Sequence, residues 1–80
     1  MKLPRDLSGR ELALAMHRLG YEISHQTGSH LRLTTLRDGE HHLTIPAHGP
    51  LKVGTLNAIM RDGEQHHHLS RPELMAMLAI

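Results

Sequence analysis

The chain has no cysteine, no tryptophan and no phenylalanine, and a single tyrosine, Tyr21, in 80 residues. Without thiols there can be no disulfide, iron–sulfur cluster or thiolate zinc site, and such a chain fits a reducing cytoplasm. With one aromatic ring, it is a poor match for nucleic-acid modules that stack bases on aromatic platforms. An excess of one charge is also missing. Nine Lys+Arg face eight Asp+Glu, a formal +1 with histidine neutral, which does not by itself mark a polyanion-binding surface. The longest apolar run, Leu74 to Ile80, is far short of the roughly 20 residues of a membrane span. Met1 to Asp6 shows neither an apolar signal core nor a cleavage site. The expectation is a soluble, cytoplasmic chain with no membrane association.

What the chain has instead is histidine, nine in all, and 39% apolar residues. The apolar content supports a packed core rather than disorder. The length predicts one domain over residues 1–80, with a core modest enough that a partner or dimer would support it.

The element signals are ordered. Ser8-Gly9-Arg10-Glu11 is a capping box with Leu7 and Leu12 as its hydrophobic staple. The helix it opens places Leu12, Ala15, Met16 and Leu19 on one stripe, leaves Leu14 outside, and stops at Gly20. Three segments of period two follow, carried by Tyr21 and Ile23, by Leu31 and Leu33, and by Leu43 and Ile45. Thr27-Gly28-Ser29 and Arg37-Asp38-Gly39-Glu40 read as the turns between them, each with a glycine for positive φ, and Pro46 ends the third strand. A second helix begins near Lys52 to Thr55, carries Leu56, Ile59 and Met60, and is expected to stop at Gly63. Glu64 to His68 then reads as a polar insert, followed by a second capping box, Ser70-Arg71-Pro72-Glu73, and an apolar last helix that must be buried. The predicted fold is α+β: a helix, a three-stranded antiparallel meander, a helix and a C-terminal helix. The helices lie on one sheet face against Ile23, Leu31, Leu33, Leu43 and Ile45. The other face is left open with Glu22, Ser24, His30, Arg32, Thr34, His42 and Thr44.

Gly28-Ser29-His30 is the tripeptide with the clearest chemistry. Small residues in a tight turn can present backbone N–H groups to an anion, and a histidine opening the next strand sets an imidazole beside them. A proton-transfer group active near neutral pH and fixed donors for a charged phosphorane are what phosphodiester cleavage needs. The bland alternative is an ordinary hairpin with a solvated histidine. Lys52 with Gly54 and Thr55 opens a helix whose amide end favours phosphate, against the alternative of simple capping; the glycine run of a Walker loop is missing. His66-His67-His68, His41-His42 and His48 raise a metal reading. Neighbouring histidines point apart and no carboxylate spacing accompanies them, so solvated loop positions are expected, with no metal or other cofactor.

Taken in order, Ser8-Gly9-Arg10-Glu11-Leu12, Leu19-Gly20-Tyr21, Gln26-Thr27-Gly28-Ser29-His30, Leu43-Thr44-Ile45-Pro46-Ala47-His48 and Lys52-Val53-Gly54-Thr55-Leu56, then Ile59-Met60, resemble the HicA-type (YcfA-like) mRNA interferase toxins over about residues 7–63. That resemblance implies a fold like a double-stranded-RNA-binding domain, the toxin of a type II toxin–antitoxin system that cleaves mRNA without a metal, and a HicB-type antitoxin covering the active face. It places the catalytic histidine at His30, with Gly28 and Ser29 in the same motif. Lys52, Gly54 and Thr55 match the opening of the family's second helix, and Pro46 and His48 its strand-end motif. Arg32 and Lys52 would add charge for RNA, with His42 and His48 as auxiliary candidates and a homodimer or toxin–antitoxin hetero-oligomer as the assembly. Two departures stand out: His25 occupies a position where the family often has arginine, and Glu64 to His68 reads as inserted. Two rival readings remain: a non-catalytic RNA-binding or partner-binding module on this fold, and a histidine-rich metal binder.

Overall fold

In the computed structural model, which describes residues 6–80, the order is α1 (Gly9–Met16), a 3₁₀ turn (His17–Leu19), β1 (Glu22–Gln26), β2 (His30–Thr35), β3 (His41–Pro46), α2 (Val53–His67) and α3 (Arg71–Leu78). The reading of the first five residues as free of a signal core lies outside the described residues. Both capping boxes form. Ser8 accepts the Glu11 N–H while Glu11 reaches back to the Ser8 N–H at 3.0 Å, and Ser70 and Glu73 repeat the exchange. Gly20 reverses the chain at φ 80°.

Along α1, Leu12, Ala13 and Met16 are buried, and Ala15 is only partly covered. The stripe is thus rotated toward Ala13 from the expected one: Ala13 is packed into the core, whereas Ala15 lines an open pocket beside Leu78 and Ile80. Gly9 is buried with no room for a side chain: a Cβ there would lie 1.7 Å from the Pro46 carbonyl oxygen. The first turn of α1 therefore rests directly on the end of β3. Leu51 N–H closes the same corner by donating to the Leu7 carbonyl at 2.8 Å.

The sheet is antiparallel in the order β1-β2-β3. Its helix-facing side buries Leu31, Leu33, Leu43 and Ile45, with α1 and α2 laid across it. Ile23 departs from the expected set. It pairs with Leu33 and so points to the same side, yet it is 41% exposed. β1 is the edge strand away from α2, which packs on β3, and a bulge at Ser24 shifts its register. Tyr21, just before the strand, occupies the core instead. The β2–β3 loop takes positive φ at both Asp38 (59°) and Gly39 (98°), and the Gly39 N–H closes it on the Leu36 carbonyl at 3.3 Å. Gly28, by contrast, does not adopt positive φ; the Thr27 side chain closes that turn.

α2 does not stop at the expected Gly63 but continues to His67 and closes on His68 at φ 55°. Gly63 is buried beneath Leu74 of α3. The helical penalty of an interior glycine, about 1 kcal/mol, is offset by that packing and by hydrogen bonds made from the last turn. The segment Glu64 to His68 is thus the end of a helix rather than an inserted loop. Glu64 pairs with Arg71, whose Nη1 also donates to Asn57 Oδ1 at 2.9 Å, joining α2 to α3. Leu74, Met75 and Leu78 complete the core, so the apolar last helix is covered by its own chain. This is the α+β, dsRBD-like arrangement, with the helices behind the sheet and a polar face open. Among the described residues no helix is long and apolar enough to cross a membrane.

Candidate functional site

The β1–β2 turn is held by short-range bonds that its sequence dictates. Thr27 N–H donates to the His30 carbonyl at 3.0 Å, and Thr27 Oγ1 accepts the N–H groups of Ser29 (3.3 Å) and His30 (3.0 Å). The Ser29 amide is therefore engaged within the turn rather than free for an anion. From the other side, Ala47 N–H donates to the Ser29 carbonyl at 2.9 Å, and His48 Nε2–H donates to the Gly28 carbonyl. A carbonyl only accepts, so His48 carries its hydrogen on Nε2. His48 braces the turn.

His30 opens β2 opposite Pro46 on the open sheet face, exposed, with Nδ1 2.9 Å from Ser29 Oγ. Arg32 lies two residues on, exposed on the same face, roughly 7 Å along the strand. Lys52 caps α2 through its backbone alone, leaving its ammonium in solvent. It borders an open pocket of ≈ 270 Å³ lined also by Pro46, His48, Pro50, Leu51 and Thr55. Gly54 is exposed in the first turn of α2, where a Cβ would meet nothing within 4 Å. The fold thus gathers Gly28, Ser29, His30 and His48 at one corner, with Lys52 and Thr55 beside His48. It does not bring His42 there. His42 pairs with Thr34, four residues or roughly 13 Å along the strand from His30. Its nitrogens are occupied by Thr34 Oγ1 at 2.8 Å and Glu40 at 2.9 Å.

A second polar cluster lies at the opposite end of the sheet, and the sequence reading missed it. Tyr21 Oη is 2.6 Å from His41 Nδ1 and 3.0 Å from His67 Nε2. His67 Nδ1 reaches Asp38 and His41 Nε2 reaches Asp62, each at 3.0 Å. His66 stacks on His41 with ring centroids 4.2 Å apart and donates from Nε2 to the carbonyls of Arg37 and Gly39. The expectation that these histidines are solvated loop residues fails for His41, His66 and His67, because α2 extends far enough to carry the last two onto the hairpin. Burial, and secondarily the Asp62 charge, pushes the Tyr21 phenol well above its ordinary range. The Asp38 carboxyl is held below its ordinary value chiefly by the hydrogen bond from His67, which outweighs the opposing effect of desolvation. Among the described residues no group of three or more His, Asp or Glu side chains is arranged to hold a metal ion.

A family model for the HicA toxin of bacterial toxin–antitoxin systems matches residues 9–65. The chain belongs to the HicA toxin family. No curated protein and no solved structure matches it. As a HicA-family chain it is the toxin member of a toxin–antitoxin pair, and its partner is of the antitoxin kind. The matched span contains the whole Gly28–His30 corner, the loop that braces it and the start of α2. It ends just before His66 and His67, so the Tyr21 cluster draws two of its imidazoles from outside the family match.

Proposed function

We propose that this HicA-family toxin is an endoribonuclease that cleaves mRNA, with His30 as its proton-transfer residue. The observation that supports the reading best is the 2.9 Å contact between Ser29 Oγ and His30 Nδ1. It engages one ring nitrogen and leaves Nε2 as the nitrogen available on the open face. From there His30 takes the proton of a ribose 2′-OH as it attacks phosphorus, or gives a proton to the leaving oxygen. This chemistry runs on histidine without calling for a metal. Arg32 and Lys52 supply positive charge to the phosphates on either side, and the exposed first turn of α2 at Gly54 and Thr55 offers amides to the backbone. With His42 distant and His48 Nε2 committed to Gly28, water is the remaining candidate for the second proton transfer. The antitoxin, of the HicB type, covers this open face, and the setting is the cytoplasm.

The near-neutral charge gives the interface a pH-dependent character. His25 and His30 are exposed beside Arg32, and each imidazole that takes a proton adds one positive charge for RNA. The deciding experiment compares the chain and its His30→Ala variant on RNA in the presence of EDTA. The parent should degrade RNA, and the variant should be folded and inert. Full activity in His30→Ala would remove the assignment. Salt-sensitive binding that leaves RNA intact in the parent would make the fold a non-catalytic RNA-binding module instead.

A further inference from the structure

A continuous line of hydrogen bonds crosses the buried end of the sheet, from Asp38 through His67, Tyr21 and His41 to Asp62, with spacings of 3.0, 3.0, 2.6 and 3.0 Å. Each of these contacts needs one hydrogen. The ionised carboxylates at the ends only accept; a neutral imidazole brings one N–H, and the tyrosine one O–H. Neutral rings therefore supply three hydrogens for four bonds. The missing one would leave two lone pairs facing each other, either around the buried Tyr21 hydroxyl, where an unmatched polar group costs heavily, or between a ring nitrogen and a half-exposed carboxylate.

We propose that Asp38, His67, Tyr21, His41 and Asp62 form a binding site for one additional proton, carried as an imidazolium between two carboxylates. It has two placements. With the proton on His41, Nδ1–H donates to Tyr21 Oη, whose own hydrogen goes to His67 Nε2, and His67 Nδ1–H goes to Asp38. Shifting two hydrogens one step each along the line puts the charge on His67 and reverses the Tyr21 hydrogen, with nothing gained or lost. The His41 side chain keeps 17% exposure and that of His67 only 1%. A charge is better tolerated where water reaches it, so His41 is the principal carrier.

The groups facing the site come from every segment around it. Arg37 and Asp38 lie on the β2–β3 turn, His41 on β3, and Asp62, His66 and His67 on α2. His66 makes both of its carbonyl contacts from Nε2–H, which a neutral ring provides, so no second cation is needed against His41. The proton ties the last turn of α2 to the hairpin and to the start of β1. Its release breaks one link of the line. The folded chain holds a proton that the unfolded chain gives up above the ordinary imidazole range, about pH 6.5. The added stability is thus complete below that range and is lost as pH rises through the titration of the site, by up to about tenfold in the folding constant per pH unit. The inference rests on these hydrogen bonds and is independent of the nuclease reading.

Two measurements on the full chain test it. Nitrogen–proton correlation of the histidine rings at about pH 7 should show one of His41 and His67 protonated on both nitrogens, and the other with its hydrogen on a single nitrogen. Two neutral rings at that pH overturn the proposal. In Tyr21→Phe the two central bonds vanish, and two neutral rings then serve the two carboxylates with no extra proton. The parent should lose stability between about pH 6 and pH 8, and the variant should not. Equal slopes in the two proteins overturn the site, and if Tyr21→Phe does not fold, the ring measurement on the parent decides alone.

Discussion

Ser29 Oγ stands 2.9 Å from Nδ1 of His30, a contact between neighbours in sequence that orients a ring exposed on the open face. Under the proposed nuclease, Ser29→Ala frees that ring to rotate away from the scissile phosphate. Loss of one neutral hydrogen bond, about 1 kcal/mol, predicts RNA cleavage slowed roughly five- to tenfold. The circular dichroism spectrum and melting temperature should not change, since neither residue is buried. A Ser29→Ala protein that cleaves at the parent rate would deprive the hydroxyl of any positioning role.

Lys52 makes no side-chain cap and projects from the α2 start into solvent. A phosphate contact at this position neutralises one charge without reading sequence. Lys52→Ala should weaken RNA binding to a similar degree across unrelated sequences and reduce the slope of log affinity against log salt by about one. Fluorescence anisotropy over a salt series measures both. An unchanged slope places Lys52 outside the interface.

How far the fold was legible from sequence depends on the range of the interaction responsible. Ser8 with Glu11, Ser70 with Glu73, and Gly20 act over a few residues, and the alternation in β2 and β3 reports burial directly, so these elements were readable. Gly63 was not, because its effect is set by Leu74 from another helix; read locally, a glycine after an apolar stripe means a stop. That one misjudged boundary also hid His66 and His67, which only a longer α2 carries to Tyr21. Ile23 had the right period but sits on the edge strand away from α2, and strand order is not written in alternation. At the candidate site, the Gly28–His30 corner was visible as a motif. That Thr27 engages the Ser29 amide, that His48 braces Gly28, and that His42 is remote required the register.

Three carboxyls contribute to the acid limit of the fold. Glu11 and Glu73 are held below their ordinary range mainly by the backbone N–H groups of Ser8 and Ser70, then by the serine hydroxyls, and Asp38 by His67. A lowered carboxyl contributes stability that is present above the ordinary carboxylate range and lost as pH falls through its folded value. The chain should therefore lose stability below about pH 4. Glu11→Gln and Glu73→Gln should each make the acid arm of the stability curve shallower in thermal melts. An acid arm unchanged in the double variant would mean that other carboxyls control it.

Two buried glycines should respond to alanine in opposite ways. At Gly9 a methyl would lie 1.7 Å from the Pro46 carbonyl oxygen, a backbone atom with no freedom to move aside. Gly9→Ala must push α1 off the end of β3, disturbing the loop that carries His48, and should cost about 3 kcal/mol, the upper end for overpacking. At Gly63 the new methyl would sit 3.7 Å from Leu74 Cδ2, ordinary van der Waals contact, within a regular helix. Gly63→Ala should stabilise by about 0.5–1 kcal/mol through helix propensity and a less flexible unfolded chain. Urea unfolding of both variants against the parent separates the two cases. Destabilisation by Gly63→Ala would show that α3 needs a closer approach to α2 than one methyl allows.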